Sequence, residues 1–172
     1  QANKNGISVV LMNFNLHLYL NETELESLYQ TISTLFEKNK LNTQNVFVGG
    51  FSSGGNVSLL LSNYLIKNKK SIQPKGVFIV DSPIDLLSLY KVSEKNIKNS
   101  KSKDALEESK WIIEELNSKF GKPSETIEKY ELLSPYTNQT QNINNVLDLK
   151  YVKIRFYTEP DIDWWKINRE ND

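Results

Sequence analysis

The chain has 172 residues, enough for one domain with a substantial core but not comfortably for two. Basic and acidic side chains balance at 21 each and arginine occurs only at Arg155 and Arg169, which argues against a nucleic-acid, anionic-membrane or phosphate-recognising partner. There is no cysteine, so disulfides and thiolate metal sites are excluded, and no apolar run approaches the roughly 20 residues a transmembrane segment needs.

Taken in chain order, apolar strands alternate with amphipathic helices. Residues 7–12 are rich in β-branched side chains and predict a buried strand. They follow Gln1 so closely that any signal peptide would lie upstream, which leaves the compartment open. Asn21 with Glu24 three residues on forms a capping-box pattern, and Leu25, Leu28, Ile32, Leu35 and Phe36 then repeat at helical spacing until residues 39–42. Residues 46–48 predict a second strand, and a leucine-rich helix follows Ser52 to about Lys67. A polar loop containing Pro74 leads to a third strand at 77–80, ending at Asp81. Strand, helix, strand, helix, strand with short connections implies a parallel sheet covered on both faces.

Some 65 residues, from Ile84 to Leu149, then separate the third strand from a fourth at 152–157, far more than one crossover helix requires. Within them, residues 91–103 are dominated by Lys, Ser and Asn and predict an exposed or mobile stretch. Asp104 and Glu107 form a capping box for a helix that turns Ala105, Ile112, Ile113, Leu116 and Phe120 inward, stopped by Gly121-Lys122-Pro123. Ser124 caps a short helix to about Leu133, and residues 138–145 predict a loop. The whole stretch reads as a helical insertion, serving either for packing or as a cap over a site.

Four of the seven glycines fall between residues 49 and 55, in Gly49-Gly50-Phe51-Ser52-Ser53-Gly54-Gly55. A strand, a glycine-flanked serine and a helix in that order describe a nucleophile elbow, in which a strained turn lifts the serine hydroxyl clear of the sheet. Gly50 and Gly54 are expected where a Cβ would collide with the neighbouring strand or helix. The helix behind the serine would bring free N–H groups and its positive end to the reacting oxygen. A phosphate-binding loop is the competing reading, but Asn56 and Val57 stand where lysine and a hydroxyl residue are wanted, and no G-x-G-x-x-G spacing occurs.

The order of elements resembles the central part of the α/β-hydrolase fold, from its fourth strand through its seventh. The elbow Gly50-Phe51-Ser52-Ser53-Gly54 carries most of the match. Ser134-Pro135-Tyr136 is similar to a turn common in esterase-like and lipase-like members, and Ile154-Arg155-Phe156-Tyr157 is followed by Thr158-Glu159-Pro160-Asp161, where the family places its acid. Thr158 stands where the family often has glycine. The resemblance implies an α/β core over residues 1–83, a helical cap over 84–149, and a core strand with the acid turn over 150–172, the core continuing past Asp172.

The resemblance also implies roles. Ser52 is the nucleophile, Asp161 the acid, and the Ser53 N–H one oxyanion donor. Glu159 and Asp163 are neighbouring alternatives for the acid, and Asp81 or Asp85 supply it if it comes from the preceding strand, as in some members. The triad base is a histidine. The chain's one histidine, His17, precedes the first helix, whereas the family's follows the acid, and Asp172 comes only eleven residues after Asp161. The second oxyanion donor is expected before Gln1. No cofactor is implied, and one histidine without cysteine offers no zinc site. Trp164-Trp165 is a substrate wall or, as packing, part of a helix. The implied function is hydrolysis of a small-molecule carboxylic ester or related acyl bond; the alternative is a non-catalytic binding or scaffold protein that keeps the elbow.

Overall fold

The computed structural model describes residues 2–13, 17–100, 102–159 and 163. It is a mixed α/β structure built on a three-stranded parallel sheet of order β1-β2-β3, with β1 at Val46–Phe51, β2 at Pro74–Val80 and β3 at Lys153–Tyr157. Helix α1 (Glu22–Lys38) precedes β1, and α2 (Ser53–Lys67) connects β1 to β2. Between β2 and β3 come α3 (Leu86–Asn99), α4 (Lys103–Phe120), α5 (Ile127–Leu133) and a 3-10 helix at Asn144–Tyr151.

Local chemistry explains most boundaries. Asn21 accepts from the Glu24 N–H at 3.0 Å while the Glu24 carboxylate accepts from the Asn21 N–H at 2.8 Å, closing the expected capping box of α1. Helix α4 is capped by Ser102, whose hydroxyl accepts from the Ala105 N–H at 3.4 Å, and so starts ahead of the expected Asp104 box. It ends at Gly121, whose φ of 81° is open to glycine without strain. The cap of α5 is Thr126 rather than Ser124. Its hydroxyl donates back to the Phe120 carbonyl at 2.6 Å, tying α5 to the end of α4.

Two details go beyond or against the sequence reading. Residues 91–99, read as exposed or mobile, are largely exposed but helical: they belong to α3, which Asp85 caps and which buries Leu86, Leu87, Tyr90 and Ser93 on one face. Its Lys and Asn residues form the solvated side of an amphipathic helix. Residues 7–12, read as a buried strand, are in no strand: Ile7, Val9 and Leu11 are exposed, and Met12 packs on the core. β-Branched content favours a strand only where a neighbour pairs with it, and among the described residues this segment joins no ladder.

Among the described residues, helices cover one face of the sheet. Helices α1 and α2 lie on the same side, and α2 is buried without a break from Gly55 to Leu65 between the sheet, α1 and the 3-10 helix. Val48, Val77, Ile79 and Ile154 face it. Among the described residues the opposite face is open, with Phe47, Phe51 and Phe78 exposed. There Phe78 lies over Gly49 and Phe47 over Gly76, each ring occupying the space a side chain on the opposite glycine would need. One apolar cluster runs from α1 and α2 through α3, α4 and α5, with Tyr19, Phe120 and Tyr130 stacked in sequence at 5.0 and 5.1 Å.

Candidate active site

Strand β1 delivers Ser52 to the C-terminal edge of the sheet. The Ser52 N–H donates to the Val80 carbonyl at 2.9 Å, which extends the β1–β2 ladder by one residue and holds the serine beside the end of β2. The backbone then reverses: Ser52 has φ 52° and ψ −129°, outside the regions open to L residues. This is the strained turn that the sequence predicts. A serine at a helix N-cap ordinarily spends its oxygen on the first free N–H groups. Ser52 does not; its half-buried hydroxyl makes no capping bond and no other hydrogen bond among the described residues. The N–H of Ser53 opens α2, ahead of the helix's own ladder, where a 15-residue helix presents its positive end.

The glycines divide unexpectedly. A Cβ on Gly50 would lie 2.2 Å from the Gly54 carbonyl, so only glycine fits where the strand passes under the helix start. Gly54, expected to be equally confined, has nothing within 4 Å of its Cβ position. The second confined residue is Gly55, whose Cβ would meet the Ser82 hydroxyl at 1.8 Å. The elbow is thus packed against the loop that follows β2.

That loop is pinned from several sides. The Asn56 side chain, wholly buried, donates to the Pro83 carbonyl at 2.6 Å and the Leu18 carbonyl at 3.4 Å. The Ser134-Pro135-Tyr136 turn holds its far end: the Ser134 hydroxyl accepts from the Leu86 N–H at 3.0 Å, and the Tyr136 N–H donates to the Ile84 carbonyl at 3.2 Å. In this chain the Ser-Pro turn therefore caps α3.

The acid candidates separate by what their oxygens already do. Asp85 is committed: it accepts from the Ser88 N–H at 3.0 Å, the Ser88 hydroxyl at 2.6 Å and the Asn138 N–H at 2.9 Å. Its environment is that of a helix cap. Asp81 is exposed and accepts from the Glu159 N–H at 3.0 Å. Glu159 and Asp163 are exposed, while Asp161 and Trp164-Trp165 lie outside the described residues. His17 is exposed and forms no hydrogen bond with Ser52.

Two clefts, of about 340 and 260 Å³, open on the described surface. The larger lies between α3 and the α4–α5 connection beside Tyr90, Lys122 and Ile127, the smaller beside Phe36, Leu41 and Ile72. Ser52 lines neither, so the expected pocket between the insertion and the serine is not one of them. No cluster of three or more metal-ligating side chains occurs among the described residues, and no described helix is long and apolar enough to cross a membrane. Sequence reasoning missed Gly55, Asn56 and Ser82 as parts of the elbow's support; the paired glycines Gly54-Gly55 were the available signal.

No protein-family model matches the chain, and no curated protein matches it. A solved structure of a "putative esterase" from Staphylococcus aureus is similar, with a TM-score of 0.43 and 18% identity over 84% of this chain and 52% of that one. The chain thus spans about half the length of that structure. A likeness at this level decides neither fold nor activity.

Proposed function

We propose that this protein is a serine hydrolase of carboxylic esters or related acyl bonds, working through an acyl-enzyme on Ser52. One observation carries the reading: a serine at a helix N-cap is held at φ 52° with its hydroxyl withheld from the helix it caps. Strain of this kind persists only where the surroundings enforce it, and it concentrates at functional sites. Ser52 Oγ would attack the acyl carbon, and the Ser53 N–H would donate to the oxyanion as the carbonyl becomes tetrahedral. A histidine would take the serine proton and pass it to the leaving alcohol, with Asp161 holding its tautomer. Water then hydrolyses the acyl-enzyme. In this reading residues 84–149 act as the cap, and residues 1–83 and 150–172 belong to the catalytic core.

A second reading is a non-catalytic binding or scaffold protein that retains the elbow as a fold element. Among the described residues no histidine bonds to Ser52, and this reading requires none. A fluorophosphonate probe separates the two. The hydrolase reading expects labelling of the full-length protein at Ser52, lost in Ser52→Ala together with turnover of small acyl esters. A folded full-length protein that neither labels nor hydrolyses any such ester supports the binding protein instead.

A further inference from the structure

Five described non-glycine residues have positive φ. Lys40 and Lys69 follow the ends of α1 and α2, where a left-handed residue is a common stop, and Gln141 sits in the turn bridged by Thr137 and Asn142. The other two, Ser52 at 52° and Asp81 at 43°, each come one step after the paired residues Phe51 and Val80. They are register neighbours at the C-terminal edge of the sheet.

Asp81 uses this conformation to hold β3. Its N–H donates to the Tyr157 carbonyl at 2.9 Å, and its Oδ1 accepts from the Glu159 N–H at 3.0 Å. The chain leaving β3 is therefore gripped on both sides of Thr158, once by the main chain and once by the carboxylate. Glycine would adopt the same φ without strain but would offer no acceptor. Aspartate is among the few side-chain-bearing residues that tolerate the left-handed region.

We propose that Asp81 is a positioning residue for the chain that leaves β3 through Thr158 to the candidate acid Glu159. The inference rests on the hydrolase reading and deepens it. Asp81, one strand over from Ser52, fixes where the chain leaves β3, and so where Glu159 stands at the C-terminal edge of the sheet. With Oδ1 committed to the Glu159 N–H, its task is to hold Thr158 and Glu159 in place rather than to act as the acid.

The test compares wild type, Asp81→Ala, Asp81→Gly and Asp81→Asn in the full-length protein, following Glu159 amide hydrogen exchange and steady-state ester hydrolysis. Asp81→Ala and Asp81→Gly are expected to speed Glu159 exchange by about tenfold or more, the scale of losing a hydrogen bond to a charged acceptor. They should lower kcat with KM unchanged. Asp81→Asn keeps an Oδ1 acceptor and should recover most of both. Asp81→Gly relieves the left-handed strain, so a loss shared by the alanine and glycine variants does not come from poor folding. Unchanged Glu159 exchange in both variants overturns the proposal, as does faster exchange with kcat intact. If wild-type Ser52 neither labels nor turns over esters, the hydrolase reading fails and the catalytic role of Asp81 with it, while the exchange measurement still decides the clamp.

Discussion

Gly50 and Gly54 approach so closely that a methyl group on the first would sit 2.2 Å from the carbonyl oxygen of the second, yet a methyl group on the second would touch nothing. The two glycines of one five-residue motif are therefore not equivalent. Gly50→Ala should destabilise the protein by about 3 kcal/mol or more, the upper range for overpacking a rigid site. Gly54→Ala, at the second position of α2, should be neutral or stabilising by about 0.5–1 kcal/mol through helix propensity. Urea unfolding of both variants checks this, and equal losses would contradict the asymmetry.

Ser52 stores backbone strain that a side chain makes worse. Ser52→Gly should unfold at higher denaturant than Ser52→Ala, by about 1 kcal/mol, since glycine enters this region freely. Both should be inert to a fluorophosphonate. If glycine gives no gain over alanine, the strained geometry at φ 52° is wrong.

On the hydrolase reading, Asp161→Asn should lower kcat by about 10⁴, the scale seen when a triad loses its orienting carboxylate. Parallel Glu159→Gln and Asp163→Asn variants should stay close to wild type. A large loss in either of those, with Asp161→Asn near wild type, would move the acid to that residue.

Asn56 joins the elbow helix to the loop before α1 and to the loop after β2. Asn56→Ala would leave the Pro83 carbonyl without its buried donor, costing about 1–3 kcal/mol. Asn56→Asp should cost more, because a carboxylate cannot donate to either carbonyl and would be wholly buried. Thermal unfolding of the two variants gives the order; a stability loss smaller for aspartate than for alanine would refute this account.

Glu26 gives the fold a pH dependence of its own. It pairs with Lys70 at 2.7 Å and accepts from the Tyr64 hydroxyl, while the Lys70 ammonium lies 4.8 Å from the Tyr29 ring centre. The hydrogen bond from Lys70, then those from Tyr64 and Gln30, hold its carboxyl down to about 2 from an ordinary 4.5. Because the folded value is the lower one, the contribution is complete above the unfolded value and is lost as pH falls toward about 2. The gap in urea midpoint between wild type and Glu26→Gln should be constant above pH 5 and close between 4.5 and about 2, shrinking also with salt. A gap independent of pH would show that Glu26 acts by packing alone.

What the sequence revealed and what it hid divide along the range of the interactions involved. The strained turn at Ser52, the α1 capping box and the Gly121 stop are built from residues within a few positions of one another, and their signatures survive in the linear order. Helix α3 was obscured because its polar face, from Lys91 to Asn99, outweighs the four residues it buries. The confinement of Gly55 arises from Ser82, on the loop after the next strand, and no local pattern announces it. Residues 7–12 failed as a strand for the same reason: β-branched content supplies only a tendency, and pairing requires a partner elsewhere in the chain.

The exchange of rings across β1 and β2 has a consequence for descent. Phe78 occupies the space above Gly49, and Phe47 that above Gly76, so each strand both lends an aromatic side chain and makes room for one. A Cβ at residue 49 would stand 2.3 Å from the Phe78 ring, which must swing aside to admit it, whereas at residue 76 the nearest Phe47 atoms, at 3.0 and 3.1 Å, need give only a little. A larger residue at 49 is therefore best accommodated beside a smaller one at 78. Divergent copies of this chain should carry that covariation as a record of the strand register.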